Sequence, residues 1–138
     1  MRIMAIDYGD VRTGVAISDE SASIAGEAWV IREKIQEEAA QVIADEAVAR
    51  GVGTIVVGYP RNMNGTAGPR AQKSEQLAEY LRGLCSTEVV LWDERMTTMS
   101  AHRILSDTGR RGKKRKNTID AVAASLILES YLQSLKSH

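Results

Sequence analysis

The sequence predicts an α/β domain built on a mixed five-stranded sheet with helices on both faces. Three observations lead there. Short apolar runs rich in β-branched residues, such as "RIMAIDYG" and "TIVVGYP", have the character of strands covered on both sides. In the second half of the chain such runs alternate with segments of helical periodicity, which implies parallel pairing through right-handed crossovers. In the first half three runs follow one another at short spacing, which implies an antiparallel meander.

The elements justify themselves in order. "RIMAIDYG" is a buried strand ending in a turn, and "TGVAIS" and "AGEAWVI" follow as the second and third strands. In "REKIQEEAAQVIADEAVAR" the apolar positions Ile35, Ala39, Val42, Ile43 and Ala47 recur at helical spacing between acids. Gly51 is placed to end that helix in a left-handed turn. "TIVVGYP" is the fourth strand, and "RNMNGTAG" is a loop with a turn at Asn64-Gly65. The next helix carries Ala71, Ser74, Leu77, Ala78 and Leu81 on one face, and "EVVLWDE" is the fifth strand. "TTMSAHRIL" predicts a short helix capped by Thr97 or Thr98. A basic loop then leads to a last helix from about Asn117, with Ile119, Val122, Ala123 and Leu126 inward. The resulting order, βββαβαβαα, is that of the ribonuclease H-like architecture.

Length and composition bound the rest. At 138 residues one domain is expected, spanning 1–138. A chain of this size buries about 70% of the surface its unfolded form exposes. No apolar stretch approaches the roughly 20 residues of a membrane span, and no signal region follows Met1. Cys85 is the only cysteine, which fits a reducing compartment. A cytoplasmic protein without membrane contact is therefore expected. The formal net charge of zero hides an asymmetry. Residues 110–116 carry six cations, Arg110, Arg111, Lys113, Lys114, Arg115 and Lys116, and taking these from the 18 basic residues leaves the rest at −6 against 18 acidic ones. A basic patch on an acidic body points to a local contact with a polyanion.

Three carboxylates sit where a buried element meets a loop. Asp7 follows "IMAI", Glu94 with Asp93 follows "VVLW", and Asp120 stands at the expected start of the last helix. Functional groups gather at the carboxyl ends of parallel strands, so adjacency of the first and last strands would bring Asp7 and Glu94 together. Alternation sends Asp93 and Glu94 to opposite faces, so one of the two is expected at the site. Crowded carboxylates repel one another and tend to take up protons unless a cation intervenes. Mg²⁺ prefers such hard oxygen ligands, and two ions about 4 Å apart can stabilise both the attacking and the leaving oxygen of phosphodiester cleavage. Each acid also has a local explanation: a turn hydrogen bond for Asp7, and a favourable first-turn position for Asp120.

Loop cations complete the pattern. Arg12 lies in "DYGDVRTGVAISD", between Gly9 and Gly14, while Arg61 and Arg70 flank "NMNGTAG" and Arg95 follows Glu94. With residues 110–116, expected to be a loop that orders on phosphate, they are the candidate nucleic-acid contacts. No GxxxxGK[ST] phosphate loop occurs, and the two histidines, His102 and His138, have no metal-ligand spacing.

Taken together, "DYGDVRTGVAISD", "GYPRNMNG", "WDERMTT", the basic stretch and "IDAVAASLIL" resemble the YqgF family, also called RuvX, over essentially the whole chain. Tyr59 and Arg61 stand where many members carry aliphatic residues. The resemblance implies a ribonuclease H-like nuclease dependent on Mg²⁺ or Mn²⁺, with Asp7, Glu94 and Asp120 as catalytic and metal-holding residues. It implies structured RNA as substrate, at the 5′ end of the small-subunit ribosomal RNA precursor, with four-way DNA junctions as the runner-up. A monomer or weak homodimer is expected. Two other classes compete: a phosphotransferase, because "DYG…G" is similar to the phosphate-binding hairpin of actin-like ATPases, and a non-catalytic nucleic-acid binder with structural acids.

Overall fold

The computed structural model of the chain describes residues 1–62, 64–96 and 112–136; the side chains of residue 96 and of residues 112–119 are not described. The element order is β1 (Arg2–Asp7), β2 (Arg12–Ser18), β3 (Ala25–Arg32), α1 (Gln36–Ala49), β4 (Val52–Tyr59), α2 (Pro69–Leu84), β5 (Glu88–Asp93), a 3-10 turn (Glu94–Met96) and α3 (Gly112–Lys136). The sheet runs β3-β2-β1-β4-β5. Its β1–β2 and β2–β3 pairs are antiparallel, and its β1–β4 and β4–β5 pairs are parallel. This is the expected mixed sheet, meander first and crossovers after. The expected helix at "TTMSAHRIL", with its caps Thr97 and Thr98, lies outside the described residues.

Period-two alternation divides the strands between two cores. Met4, Ile6, Val15 and Val57 face α1 and α2, where they pack on Ile43, Ala47, Leu77 and Leu81. Ile3, Ala5, Ala16 and Val56 face α3 and pack on Ala124, Ile127, Leu128 and Leu132. Trp92 fastens α3 to β5: its indole N–H donates to Ser130 Oγ at 3.1 Å, and its ring meets Tyr131 edge-on with centroids 5.4 Å apart. The face predicted for α2 is buried at all five positions.

Three sequence expectations are corrected. The inward face of α1 is Ala39, Ala40, Ile43, Ala44 and Ala47, while Ile35 and Val42 stay 51% and 37% exposed. The small alanines let the helix lie close on the sheet, and Ile35 precedes the first turn as its N-cap. Gly51 does end the helix region with φ of 68°, the left-handed value that suits glycine. The last helix begins at Gly112, not near Asn117, so the backbone of 112–116 is helical rather than a loop. Lys and Arg are good helix formers, and nothing in "KKRKNT" stops the helix from extending backward. Asp120 is consequently inside α3 and not in its first turn, so the macrodipole does not explain it. The face of α3 is also turned: Ala124, Ile127, Leu128 and Leu132 are buried, while Val122, Ala123 and Leu126 are half-buried. The expected inward Ile119 lies outside the described side chains.

Candidate active site

The site forms at the carboxyl end of the parallel strands, on the face that α3 covers. Asp7 ends β1 and, by alternation with Ile3 and Ala5, turns to that face. The same parity decides between the two acids after β5. Val89 and Leu91 belong to the α1–α2 core and Trp92 to the α3 core. Continuing the alternation sends Asp93 to the α1–α2 side and Glu94 to the side of Asp7. The contacts agree. The Asp93 carboxylate is gripped by Arg95, whose Nε and Nη2 lie 2.9 and 2.6 Å from Oδ2, and this pair holds Asp93 below the usual carboxylate range. Glu94 instead shares a side-chain hydrogen bond with Asp7.

Asp7 and Glu94 meet although β1 and β5 are not neighbours, which corrects the adjacency that the sequence argument assumed. β4 lies between them, and Gly58 makes the passage possible. Gly58 pairs with Trp92, and the β1–β4 register, continued one step past Ile6–Val57, sets it level with Asp7. A Cβ on Gly58 would stand 2.7 Å from Ile127 Cδ1, 2.9 Å from Glu94 Cδ and 3.1 Å from Glu94 Cγ. The missing side chain is the gap through which Glu94 reaches over β4. Gly58→Ala is therefore expected to displace Glu94. Because both contacts are ends of flexible side chains, it should destabilise the fold by only about 1–2 kcal/mol while sharply lowering any activity that uses Glu94. Urea unfolding beside a cleavage assay checks the split.

The third acid comes from α3. Asp7 pairs with Gly14 across β1–β2. A Cβ on Gly14 would lie 2.0 Å from the Asp120 carbonyl oxygen, so α3 rests directly on the β2 backbone at this point and brings Asp120 beside Asp7. Its carboxylate lies 3.4 Å from Arg12 Nε, with both side chains about a quarter exposed.

The electrostatics match this crowding. Burial, followed by the charge and hydrogen bond of Glu94, pushes the Asp7 carboxyl well above its ordinary range, and Asp120 adds to the push. Burial also raises Glu94, against the Asp7 hydrogen bond and the charge of Arg70. Burial raises Asp120, against Arg12 and Arg70. Asp7 and Glu94 titrate as a unit.

The remaining predicted contacts divide. Arg61 lies over the Tyr59 ring, 5.0 Å from its centroid, and Tyr59 donates its hydroxyl hydrogen bond to Glu75. Arg95 is bound to Asp93, and Arg70 lines a small cleft with Tyr8, Gly9, Asp10 and Lys73. Arg110 and Arg111 lie outside the described residues, as do the side chains of Lys113, Lys114, Arg115 and Lys116. A close backbone approach at Gly14 is legible in the sequence, but sequence reasoning missed that α3 is what approaches there, the gap at Gly58 and the pairing of Arg12 with Asp120. Glycines in otherwise apolar strands were the available signal, since a strand glycine often marks a close approach.

The model of the RuvX family, described as Holliday junction resolvase, matches residues 1–134. The chain belongs to the RuvX family. A relative from Halothermothrix orenii, named "Putative pre-16S rRNA nuclease", is 46% identical over 132 residues, covering 96% of this chain and 94% of its own. Among solved structures, RuvC of T. thermophilus in complex with a Holliday junction substrate superposes with a TM-score of 0.59 at 12% identity, over 97% of this chain and 96% of that one. The Holliday junction resolvase of fowlpox virus gives 0.58 at 16% identity, over 98% and 99%. At such identities these likenesses establish the fold, which is ribonuclease H-like as the element order predicts.

Among the described residues no three Asp, Glu, His or Cys side chains are already gathered to hold a metal ion. The donor set nevertheless fits a hard divalent cation. Two half-buried carboxyl groups are close enough to share a proton, which is the form such a pair takes when no cation neutralises it. Asp120 stands next to them with its charge taken by Arg12.

Proposed function

We propose that this RuvX-family chain is a cytoplasmic endonuclease that hydrolyses phosphodiester bonds of structured RNA, with Asp7, Glu94 and Asp120 as its catalytic carboxylates. The observation that carries the reading is the Asp7–Glu94 pair. Bringing two acids together under a helix, at a cost in desolvation and repulsion, has no evident structural return, since apolar neighbours would fill the same space more stably. A role confined to structure therefore fits poorly.

Asp7 and Glu94 would hold Mg²⁺ or Mn²⁺, with Asp120 as the third carboxylate. The ion supplies activation of water and stabilisation of charge on the phosphate and leaving oxygen. The protein's own part is to orient. Gly58 admits Glu94, the Gly14 contact sets the height of Asp120, and Arg12 holds the Asp120 carboxylate until another cation competes for it. The cations around the edge draw in the phosphate backbone.

The first substrate to try is the precursor of 16S ribosomal RNA at its 5′ end, the molecule in the name of the relative cited above. Four-way DNA is the second reading, favoured by the family description and by the RuvC-like fold. Symmetrical cutting of a junction needs two active sites, hence a dimer. A cleavage assay with Mg²⁺ or Mn²⁺ separates the readings when it compares precursor RNA, single-stranded RNA and a four-way junction. Cleavage of precursor RNA that is lost in excess chelator is expected. Metal-dependent cutting of the junction alone moves the assignment to DNA. Salt-dependent binding with no cleavage of any substrate overturns the enzyme reading in favour of a binding module, and tight ATP binding by calorimetry favours a phosphotransferase.

The raised carboxyl groups also predict how stability responds to pH. A carboxyl whose folded pKa exceeds its unfolded value stabilises the fold fully below the unfolded value and loses that contribution as pH rises through the folded one. The ordinary values here are 3.8 for Asp and 4.5 for Glu. In chelator, the contribution of this cluster to the melting temperature should therefore fall as pH climbs above the ordinary carboxylate range. Adding Mn²⁺ should recover several degrees at pH 8 and much less at pH 5, because metal ligation needs the deprotonated acids. Scanning calorimetry at the two pH values checks it.

A further inference from the structure

The loop arginines with described side chains are not equivalent. Arg12 faces Asp120 at 3.4 Å, Arg95 grips Asp93, and Arg61 lies over Tyr59. Arg70 differs from all three. It is exposed at the start of α2, and among the described residues it forms no hydrogen bond or ion pair. Its guanidinium is nonetheless near enough to Asp7, Glu94 and Asp120 to favour the charged form of each. It also lines the cleft formed with Tyr8, Gly9, Asp10 and Lys73, the residues directly beyond Asp7 and along α2. Lys73 Nζ lies 2.7 Å from Asp10 Oδ1, so those two charges offset each other and Arg70 sets the sign of the cleft.

The cleft is small, about 30 Å³. That is room on the scale of one or two waters, which suits phosphate oxygens and excludes a base or a sugar. A nucleic-acid strand brought up to three carboxylates also meets like charge. It needs a cation beside them that is not already engaged, and the planar guanidinium offers two parallel donors to a phosphodiester.

We infer that Arg70 holds a backbone phosphate of the nucleic acid in the Tyr8–Gly9 cleft, next to the carboxylate site. The inference rests on the nuclease reading for the identity of the polyanion. It goes beyond that reading by singling out one arginine as a direct phosphate contact and by making the contact blind to base sequence.

The test is binding without cleavage. In excess chelator, a fluorescein-labelled RNA hairpin and a labelled four-way DNA junction are titrated by anisotropy between 50 and 200 mM KCl. The proteins are the unmodified chain, Arg70→Ala, Arg70→Lys and Arg82→Ala, the last removing a cation at the far end of α2. Arg70→Ala should keep its melting temperature and weaken binding of the RNA hairpin by about three- to tenfold, with the log–log salt slope flatter by about one phosphate contact. Hairpins of different sequence should lose equally. Arg70→Lys should recover part of the loss, and Arg82→Ala should bind normally. Unchanged affinity and slope in Arg70→Ala, or an equal loss in Arg82→Ala, overturns the contact. Cleavage by Asp7→Asn tells the two proposals apart. An inactive Asp7→Asn beside a normally binding Arg70→Ala removes the contact alone. An active Asp7→Asn beside a weakened Arg70→Ala removes the carboxylate reading and keeps the contact.

Discussion

Asp7→Asn is expected to lower cleavage by about a thousandfold or more, equivalent to about 4 kcal/mol of barrier at 1.36 kcal/mol per tenfold, while the protein stays folded. Asn matches Asp in shape but removes the charge that a divalent ion requires. The same change relieves the fold. Asp7 is half-buried beside Glu94, and its carboxyl lies well above the ordinary range because of desolvation first and Glu94 second. Ionising it at neutral pH therefore works against the folded state. The neutral amide should raise the melting temperature in chelator at pH 8 by a few degrees and abolish the gain from Mn²⁺. Loss of activity with gain of apo-stability is the signature of a site residue rather than a structural one. Near-normal cleavage by this variant would remove Asp7 from the chemistry, and a lower melting temperature would show that the crowding described here is wrong.

Gly14→Ala should have the largest effect on stability. Its Cβ would fall 2.0 Å from the Asp120 carbonyl oxygen and 2.6 Å from the carbonyl carbon. These are backbone atoms of a helix packed over β1 and β2, so no side-chain rotation relieves the overlap, and strand or helix must shift. Overpacking of this kind costs about 3 kcal/mol, or roughly 10 °C in melting temperature for a chain of this size. Because the displaced residue is Asp120 itself, cleavage should fall with stability. Gly83 is the internal control. Nothing lies within 4 Å of its Cβ position near the end of α2, so Gly83→Ala should be neutral or stabilising by about 0.5–1 kcal/mol through helix propensity. Thermal melts of the two variants side by side check the packing, and equal melting temperatures would contradict it.

The strands were legible because buried parallel strands are nearly continuous apolar runs, and "TIVVGY" reads the same in sequence and structure. The α2 face was legible for a related reason, since Leu77 and Leu81 dominate an otherwise polar helix. In α1 the signal was ambiguous. Five alanines, with Val42, Ile43 and Val48, nearly encircle parts of the helix, and only packing against α2 and β4 selects Ala40 and Ala44 over Val42. The candidate acids could be picked out because each closes a buried element. Their route to one another could not, because it depends on β4 lying between β1 and β5 and on Gly58 having no side chain there. The choice of Glu94 over Asp93 needs only parity, but parity relative to Trp92, whose partner α3 is distant in sequence. Asp120 looked like a first-turn residue because "GKKRK" reads as a loop when its charges are considered and as a helix when its propensities are. The cleft at Arg70 has no sequence signature, since it joins residues 8–10 to residues 70 and 73.

The central claim is that Asp7, Glu94 and Asp120 form one cation site. Titration of Mn²⁺ into the protein at pH 8 without nucleic acid, followed by the electron paramagnetic resonance of free Mn²⁺, tests it most directly. The unmodified chain should bind Mn²⁺, Asp7→Asn and Glu94→Gln should each weaken binding at least tenfold, and Asp120→Asn should weaken it less because Arg12 already competes for that carboxylate. Mn²⁺ affinity that is the same in the unmodified chain and in Asp7→Asn would contradict the account.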